Sequence, residues 1–219
     1  MNRADLSARA GRYQQQATRR KGPAVAGLEA AGEVVAVGQS VGLFACGDRV
    51  MGQCSGGFAE LVAVDERILM PAPTSLGWLE AAATPVALVT GHDAIATGAG
   101  LVAGDSVLIQ GAGSTVGMIA VQVARLLGAG LVLGTTGDRA RADLLATLGA
   151  DVVVDRSDQG ELIRTVARET AERGADVVMD HFGGTDLGAN LEASRRWTDG
   201  QRRPPRVQAG PARSRPSGA

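Results

Sequence analysis

Aromatic residues are scarce in this chain, lysine is almost absent, and cysteine occurs twice. Two Trp, one Tyr and three Phe amount to 3% of 219 residues. Surfaces that read nucleic acid rely on interleaved aromatic rings and dense positive charge. The net charge here is −1, too small to attract phosphate or an acidic membrane strongly. No specific nucleic-acid partner is expected. Cys46 and Cys54 are too few for a disulfide framework, and free thiols suit a reducing compartment. Both are expected to be packed or incidental, not catalytic. No apolar run approaches the roughly 20 residues that span a bilayer. The N-terminal MNRADLSARAGRY is charged and has no apolar centre, unlike a secretory leader. These absences imply a cytoplasmic protein with no membrane association. The charge that is present lies unevenly. From Ser194 onward seven Arg oppose one Asp, a net of +6, so the residues before it carry −7. Such asymmetry marks a tail.

Hydrophobic residues make up 45% of the chain, enough for a substantial core, and this length holds one large domain or two small ones. The pattern is clearest over SVLIQGAGSTVGMIAVQVA, Ser106 to Ala124. Val107-Leu108-Ile109 has the character of a buried parallel strand. A glycine turn follows, and Val116, Ile119, Ala120 and Val123 then recur at helical spacing. Strand, turn and helix together are the phosphate-binding corner of a dinucleotide fold. Glycines let the backbone approach a pyrophosphate, and the helix N-terminus turns N–H groups toward its charge. Gly111, Ala112, Gly113, Ser114, Thr115, Val116 and Gly117 are therefore the candidate cofactor-binding turn. The spacing Gly111-x-Gly113-x-x-x-Gly117 is one residue longer than G-x-G-x-x-G, and glycine turns of this kind also serve ordinary packing.

Residues 1–22 are polar and show little pattern. From Gly32, GEVVAVG (Gly32 to Gly38), GDRVMG (Gly47 to Gly52) and FAELVAV (Phe58 to Val64) predict a small antiparallel sheet or barrel. Pro71 and Pro73 mark a connector. Ser75 is placed to cap a short helix carrying Leu76, Leu79 and Ala83, and Pro85 suits the first turn of the next. Beyond Ala99 strands are predicted at 106–110, 130–134, 151–155 and 175–180, with helices at 115–127, 138–148 and 159–172. That alternation gives βαβ units and a parallel sheet. The last strand ends at HFGG, His181 to Gly184, on the carboxyl edge where open α/β sheets bind ligands. The fold class is α/β, with domains at 1–84 and 85–193. Residues 194–219 have no apolar periodicity and are predicted to be a disordered basic tail.

The motifs run in a fixed order: NRADL (Asn2 to Leu6), GxY (Gly11 to Tyr13), GLEAAGEVVAVG (Gly27 to Gly38), GDRV, GFAELVAV, Leu88-Val89-Thr90, GDSVLIQGAG, LGAD (Leu148 to Asp151) and ADVVMDHFGG. Across Asn2 to Ala193 this series resembles the zinc-independent medium-chain dehydrogenase/reductases, specifically the quinone oxidoreductase (zeta-crystallin-like) branch. The resemblance implies a Rossmann-type parallel sheet preceded by a GroES-like β domain. Family members begin well ahead of the matched region and continue past it, so both domains are expected to be incomplete. One lysine beside 21 arginines suggests GC-rich codons, and the tail is expected to be an out-of-frame extension.

The resemblance also assigns roles. Zinc-using relatives carry cysteine at the position of Asn2, histidine at Leu28 and usually cysteine at Val86, so no metal site is implied here. NAD-preferring relatives carry an acid at Thr136. Threonine there, with Arg139 and Arg141 near enough to pair with a 2′-phosphate, implies NADPH as cofactor; Asp138 opposes this. Asn2 and Tyr13 fall in the implied substrate cleft as catalytic candidates. The Tyr13 phenol would donate to a quinone oxygen as negative charge develops. Thr90 is implied beside the nicotinamide, and His181 is a candidate for the cofactor cleft. His92, where relatives often carry an aromatic, is expected to be a packing substitution. Thr115 replaces a family glycine and is expected to narrow the approach to the pyrophosphate. The implied activity is zinc-free hydride transfer from NADPH to a small molecule, a quinone or enone, with a homodimer left open. The alternatives are enoyl-thioester reduction within the same family, or a non-catalytic remnant that retains nucleotide binding.

Overall fold

The computed structural model describes residues 1–12, 25–181, 187–194 and 206–209. The chain divides into two compact units, Met1–Ala87 and Leu88–Ala219, three residues beyond the boundary expected after residue 84.

The first unit carries an antiparallel sheet of three strands, β1 (Glu29–Glu33), β2 (Arg49–Gln53) and β3 (Leu69–Pro71), in that order. Met51 in the central strand stands opposite Ala31 on one side and Met70 on the other. With Ala72 and Ala81 these residues make a small apolar core. Ala81 belongs to α2 (Trp78–Ala83), whose Trp78 ring lies 3.7 Å from the Arg49 guanidinium carbon. A cation over an indole face stabilises by roughly 0.5–1 kcal/mol where exposed. Helix α1 (Arg3–Arg9) falls in the segment that showed little pattern. Its first turn is closed locally: Asn2 N–H donates to Asp5 Oδ2 at 2.7 Å, and Asp5 N–H donates to the Asn2 carbonyl at 3.1 Å.

Two of the three strands expected in this unit are not formed as expected. The GDRVMG segment is β2, but pairing of the preceding segment covers Glu29–Glu33, and Phe58–Val64 is irregular. Val34 N–H still reaches the Asp48 carbonyl at 3.0 Å, after which the ladder stops. Alternation describes a chain with two unlike faces, but a strand also needs a partner for its N–H and C=O groups. Val35, Val37, Phe58 and Leu61 are accordingly exposed.

The second unit is a five-stranded parallel sheet in the order β6-β5-β4-β7-β8. Its strands are β4 (Ser106–Ile109), β5 (Leu131–Thr136), β6 (Val152–Asp155), β7 (Val177–Asp180) and β8 (Arg206–Ala209). Strand β4 is central and wholly buried, and its alternate side chains feed two cores. Val107 and Ile109 join Val132, Val177 and Met179 against α4 (Thr115–Leu126) and α5 (Ala142–Thr147). Leu108 joins Leu133, Val154 and Val178 against α6 (Gln159–Glu169) and α7 (Leu187–Ala193). Full burial of a Leu or Val contributes about 1.5–3 kcal/mol, so both faces of β4 stabilise the sheet. At its start, Ser106 N–H and hydroxyl both donate to Asp176 Oδ2, at 3.0 and 2.8 Å. That satisfies a buried carboxylate and aligns β4 with β7. Helix α3 (Pro85–His92) continues into a π-helical turn over Asp93–Gly98.

Strand β8 departs from the expectation of a disordered tail over 194–219. It pairs in parallel with β7, Val178 opposite Val207. Arg206 anchors it, donating to the Gly100 carbonyl and to Asp105, both in the loop before β4. Four residues are too short to show periodicity, and an arginine that reads as solvated charge here holds a strand in place. Ser194 bridges Ala175, and the rest of the tail lies outside the described residues.

Candidate functional site

Three structural demands meet at the turn between β4 and α4. Gly111 has a φ of +65°, a left-handed conformation that glycine adopts without strain. Gly117 sits in the first turn of α4, where a Cβ would lie 2.4 Å from the Gly111 carbonyl oxygen. Only a bare Cα lets the helix start so close to the turn. At Gly113 a Cβ would meet Thr136 Oγ1 at 2.6 Å, so β5 closes in from the side. Ser114 caps α4, its Oγ accepting the Gly117 N–H at 3.0 Å. The twelve residues of α4 then give this N-terminus a full helix dipole, equivalent to roughly half a positive charge.

Side chains from neighbouring elements fasten the same turn. Gly111 N–H donates to Thr135 Oγ1 at 2.9 Å. Arg141 donates to the Gly113 carbonyl and pairs with Asp138 at 3.2 Å. His181, just after β7, places Nε2 3.0 Å from Ser114 Oγ, which brings this sequence candidate to the turn. Gly111, Ala112, Gly113 and Gly117 are buried, Ser114 and Val116 half-buried, and Thr115 exposed. Thr115 is the first helical residue and its side chain is outside the packed face.

Thr136, Arg139 and Arg141, the residues expected to read the nucleotide ribose, lie at and just after the end of β5. Thr136 is buried, and its Oγ1 accepts the Asp138 N–H at 3.1 Å. Arg139 is 90% exposed and pairs with Asp155 at 3.5 Å. Asp155 accepts from the Ser157 N–H and hydroxyl, and these bonds, with Arg139 behind them, hold its carboxyl below the usual carboxylate range. Both arginines thus already have carboxylate partners. A depression of about 600 Å³ lined by Thr136, Arg139, Val152, Val154, Asp155 and Ser157 opens beside them.

Thr90 is exposed on α3, where the next residue, Gly91, approaches Ala120 of α4: a Cβ there would lie 3.4 Å from the Ala120 backbone. His92 is also exposed, which corrects the expectation that it packs; it is the last residue of α3. Tyr13 lies outside the described residues. In the first unit, Asn2 Nδ2 donates to Glu29 Oε1 at 2.7 Å, and Glu29 Oε2 accepts the Val86 N–H at 2.8 Å. Glu29 thus ties Asn2 to the Val86 backbone, two of the three positions that the resemblance set against zinc ligands. Burial first, then the charges of Glu29 and Asp5, push the Cys54 thiol above its ordinary range. Sequence reasoning missed Glu29 and Thr135. A carboxylate inside the apolar stretch GLEAAG was the available signal for the first. For Thr135 there was none beyond a polar residue in a buried strand.

A parallel sheet whose central strand runs into a glycine turn and a helix N-terminus, with a small antiparallel β unit ahead of it in the chain, is the two-part architecture of a dehydrogenase/reductase. Two family models match in that order: the alcohol dehydrogenase GroES-like domain over residues 1–74 and the zinc-binding dehydrogenase model over residues 115–198. The chain belongs to the medium-chain dehydrogenase/reductase family. It is 40% identical over 158 residues to erythronolide synthase EryA2 of Saccharopolyspora erythraea, covering 72% of this chain and 4% of that protein. The structure of Escherichia coli quinone oxidoreductase complexed with NADPH superposes with a TM-score of 0.75 at 26% identity, over 88% of this chain and 58% of that one. The CurK enoyl reductase shares the fold, with a TM-score of 0.80 at 22% identity over 98% of this chain and 69% of that one. The chain thus spans less than two thirds of the length of the quinone oxidoreductase and a small part of the synthase.

Proposed function

We propose that this protein is a cytoplasmic, NADPH-dependent oxidoreductase that delivers hydride to a quinone or related enone without a metal. The observation that carries the reading is the turn at 111–117. Its glycines let α4 and β5 close against the backbone of the turn where a Cβ would clash, and the turn ends at the start of α4. When bound, the dinucleotide supplies the hydride. The turn and the α4 N-terminus would hold the pyrophosphate. Thr136 brings no negative charge to the ribose, and exposed Arg139 can exchange Asp155 for a 2′-phosphate, whose geometry suits a guanidinium. The match to a quinone oxidoreductase solved with NADPH supports this choice of nucleotide. Zinc does not fit. Asn2 and Glu29 are spent on each other and on the Val86 N–H, while Leu28 and Val86 side chains offer no donor. Tyr13 remains our candidate to hydrogen-bond the acceptor oxygen as it gains negative charge.

The 40% identity to a polyketide synthase and the fold shared with an enoyl reductase favour a second reading, reduction of an enoyl thioester. Loss of NADPH absorbance, measured with a quinone panel and an enoyl-thioester panel, separates the two. Turnover with quinones supports the first. Turnover with thioesters alone replaces it with the second, and none with either removes the catalytic claim.

A further inference from the structure

A chain of buried polar side chains crosses the carboxyl ends of β5, β4 and β7. Gly111 N–H donates to Thr135 Oγ1 at 2.9 Å, and the Thr135 hydroxyl donates to Gln110 Oε1 at 2.6 Å. Gln110 Nε2 donates to Asn190 Oδ1 at 2.5 Å, and Asn190 Nδ2 donates to Asp180 Oδ2 at 2.9 Å. Thr135 and Asn190 are 0% exposed, Asp180 1% and Gln110 2%. Such depth is unusual for an Asp or Gln, and nothing in the motif at 111–117 calls for it.

The polarity of this chain is set at its two ends. At one end the Gly111 backbone N–H can only donate, and at the other Asp180 Oδ2 accepts the Asn190 amide. Each group between them takes one hydrogen bond and gives one. Gln110 and Asn190 therefore have one amide orientation apiece, because reversing either sets donor against donor or acceptor against acceptor. All four side chains are closed off from solvent, so breaking one link strands the groups on both sides of it. The outcome is felt at Gly111, the left-handed residue from which the turn departs. The direction of its N–H fixes the Gln110–Gly111 peptide plane, the last one before the turn.

We propose that Thr135, Gln110 and Asn190 are positioning residues for the pyrophosphate turn, through which α7 holds Gly111 in its binding geometry. This rests on the nucleotide-binding reading and names a part of the molecule that supports it without touching ligand. Thr135→Val removes the hydroxyl at nearly constant volume, and Asn190→Leu cuts the remote end. In the full chain, each should weaken NADPH binding by calorimetry about tenfold, the size expected for losing one such bond. Adenosine 2′-monophosphate, which has no pyrophosphate, should compete as well against the variants as against wild type. Thr135→Ser should restore wild-type affinity. Equal losses for both probes, or none, would reduce the chain to a packing feature and overturn the proposal.

Should Thr135→Val fail to fold, Asn190→Leu and a nucleotide-free measurement still decide. The Gly111 amide of wild type should be strongly protected from hydrogen exchange, and Asn190→Leu should accelerate it. An amide that exchanges like an open loop refutes the idea. Wild type that binds neither NADPH nor adenosine 2′-monophosphate would sink the nucleotide reading and this inference together. Wild type that binds both, with variants unchanged, would sink this inference alone.

Discussion

Gly117→Ala sets two opposed effects against each other at one atom. Gly117 lies within α4 and outside the left-handed region, so alanine is conformationally acceptable there. On helix propensity alone the change should stabilise by about 1 kcal/mol. The added methyl, however, would lie 2.4 Å from the Gly111 oxygen, 2.6 Å from Ala112 Cα and 2.8 Å from Ala112 C. All three are backbone atoms of the turn, so no side chain can swing aside; either the helix or the turn must move. Overpacking of this kind costs about 1–3 kcal/mol, and rigid backbone neighbours put this site at the upper end. The net loss is about 2 kcal/mol, which lowers Tm by roughly 4–8 °C in a chain of this size. Gly188→Ala provides the contrast, because a Cβ there meets nothing within 4 Å and the substitution should stabilise by roughly 0.5 kcal/mol. Urea unfolding midpoints at constant m-value give both numbers. NADPH affinity of Gly117→Ala should fall by more than tenfold. A variant as stable as wild type, or more so, would show that α4 does not pack on Gly111 and that the close approach argued for the turn is wrong.

The two arginines after β5 should behave differently. Arg139→Ala should reduce the preference for NADPH over NADH about tenfold with little change in stability. Arg141→Ala should weaken both nucleotides, because that guanidinium also holds the Gly113 carbonyl. Equal losses at Arg139 would contradict this. Iodoacetamide at neutral pH should label exposed Cys46 well before Cys54, whose raised pKa leaves less thiolate. Glu29→Gln should speed Cys54, and equal rates in wild type by mass spectrometry would refute the assignment. Asp155 titrates low when folded, so its contribution is present above the unfolded carboxylate range and is lost as pH falls through its folded value. The stability difference between wild type and Asp155→Asn should shrink on acidification below about pH 4, and a constant difference would show that the Ser157 bonds carry no weight.

The second unit was largely legible because its elements are long, apolar and separated by glycine. Strand β4 and helix α4 were expected at 106–110 and 115–127, and stand at Ser106–Ile109 and Thr115–Leu126. Short elements without such signals were not legible. Arg3–Arg9 is a helix closed by Asn2 and Asp5, and Arg206–Ala209 is a strand held by an arginine whose partners lie about a hundred residues away. Conversely, Phe58–Val64 alternates and finds no ladder. The candidate site divides the same way. The glycine turn is a local pattern, so it could be read directly. The bonds from Gln110 to Asn190, 80 residues apart, and from Asn2 to Glu29, 27 apart, exist only once the chain has folded.

The strand order has a cost during synthesis. Strand β4 is flanked by β5, which follows soon after, and by β7, whose neighbour Asp176 trails Ser106 by 70 residues. At translation rates of about 5–20 residues per second, β4 stands for roughly 4–14 s with one edge open after leaving the ribosome. Val107, Leu108 and Ile109, fully buried in the finished sheet, are meanwhile available to any other unpaired strand. A chain whose most protected strand is completed so late should refold slowly, lose yield as concentration rises, and depend on chaperones that shield β4 until β7 arrives.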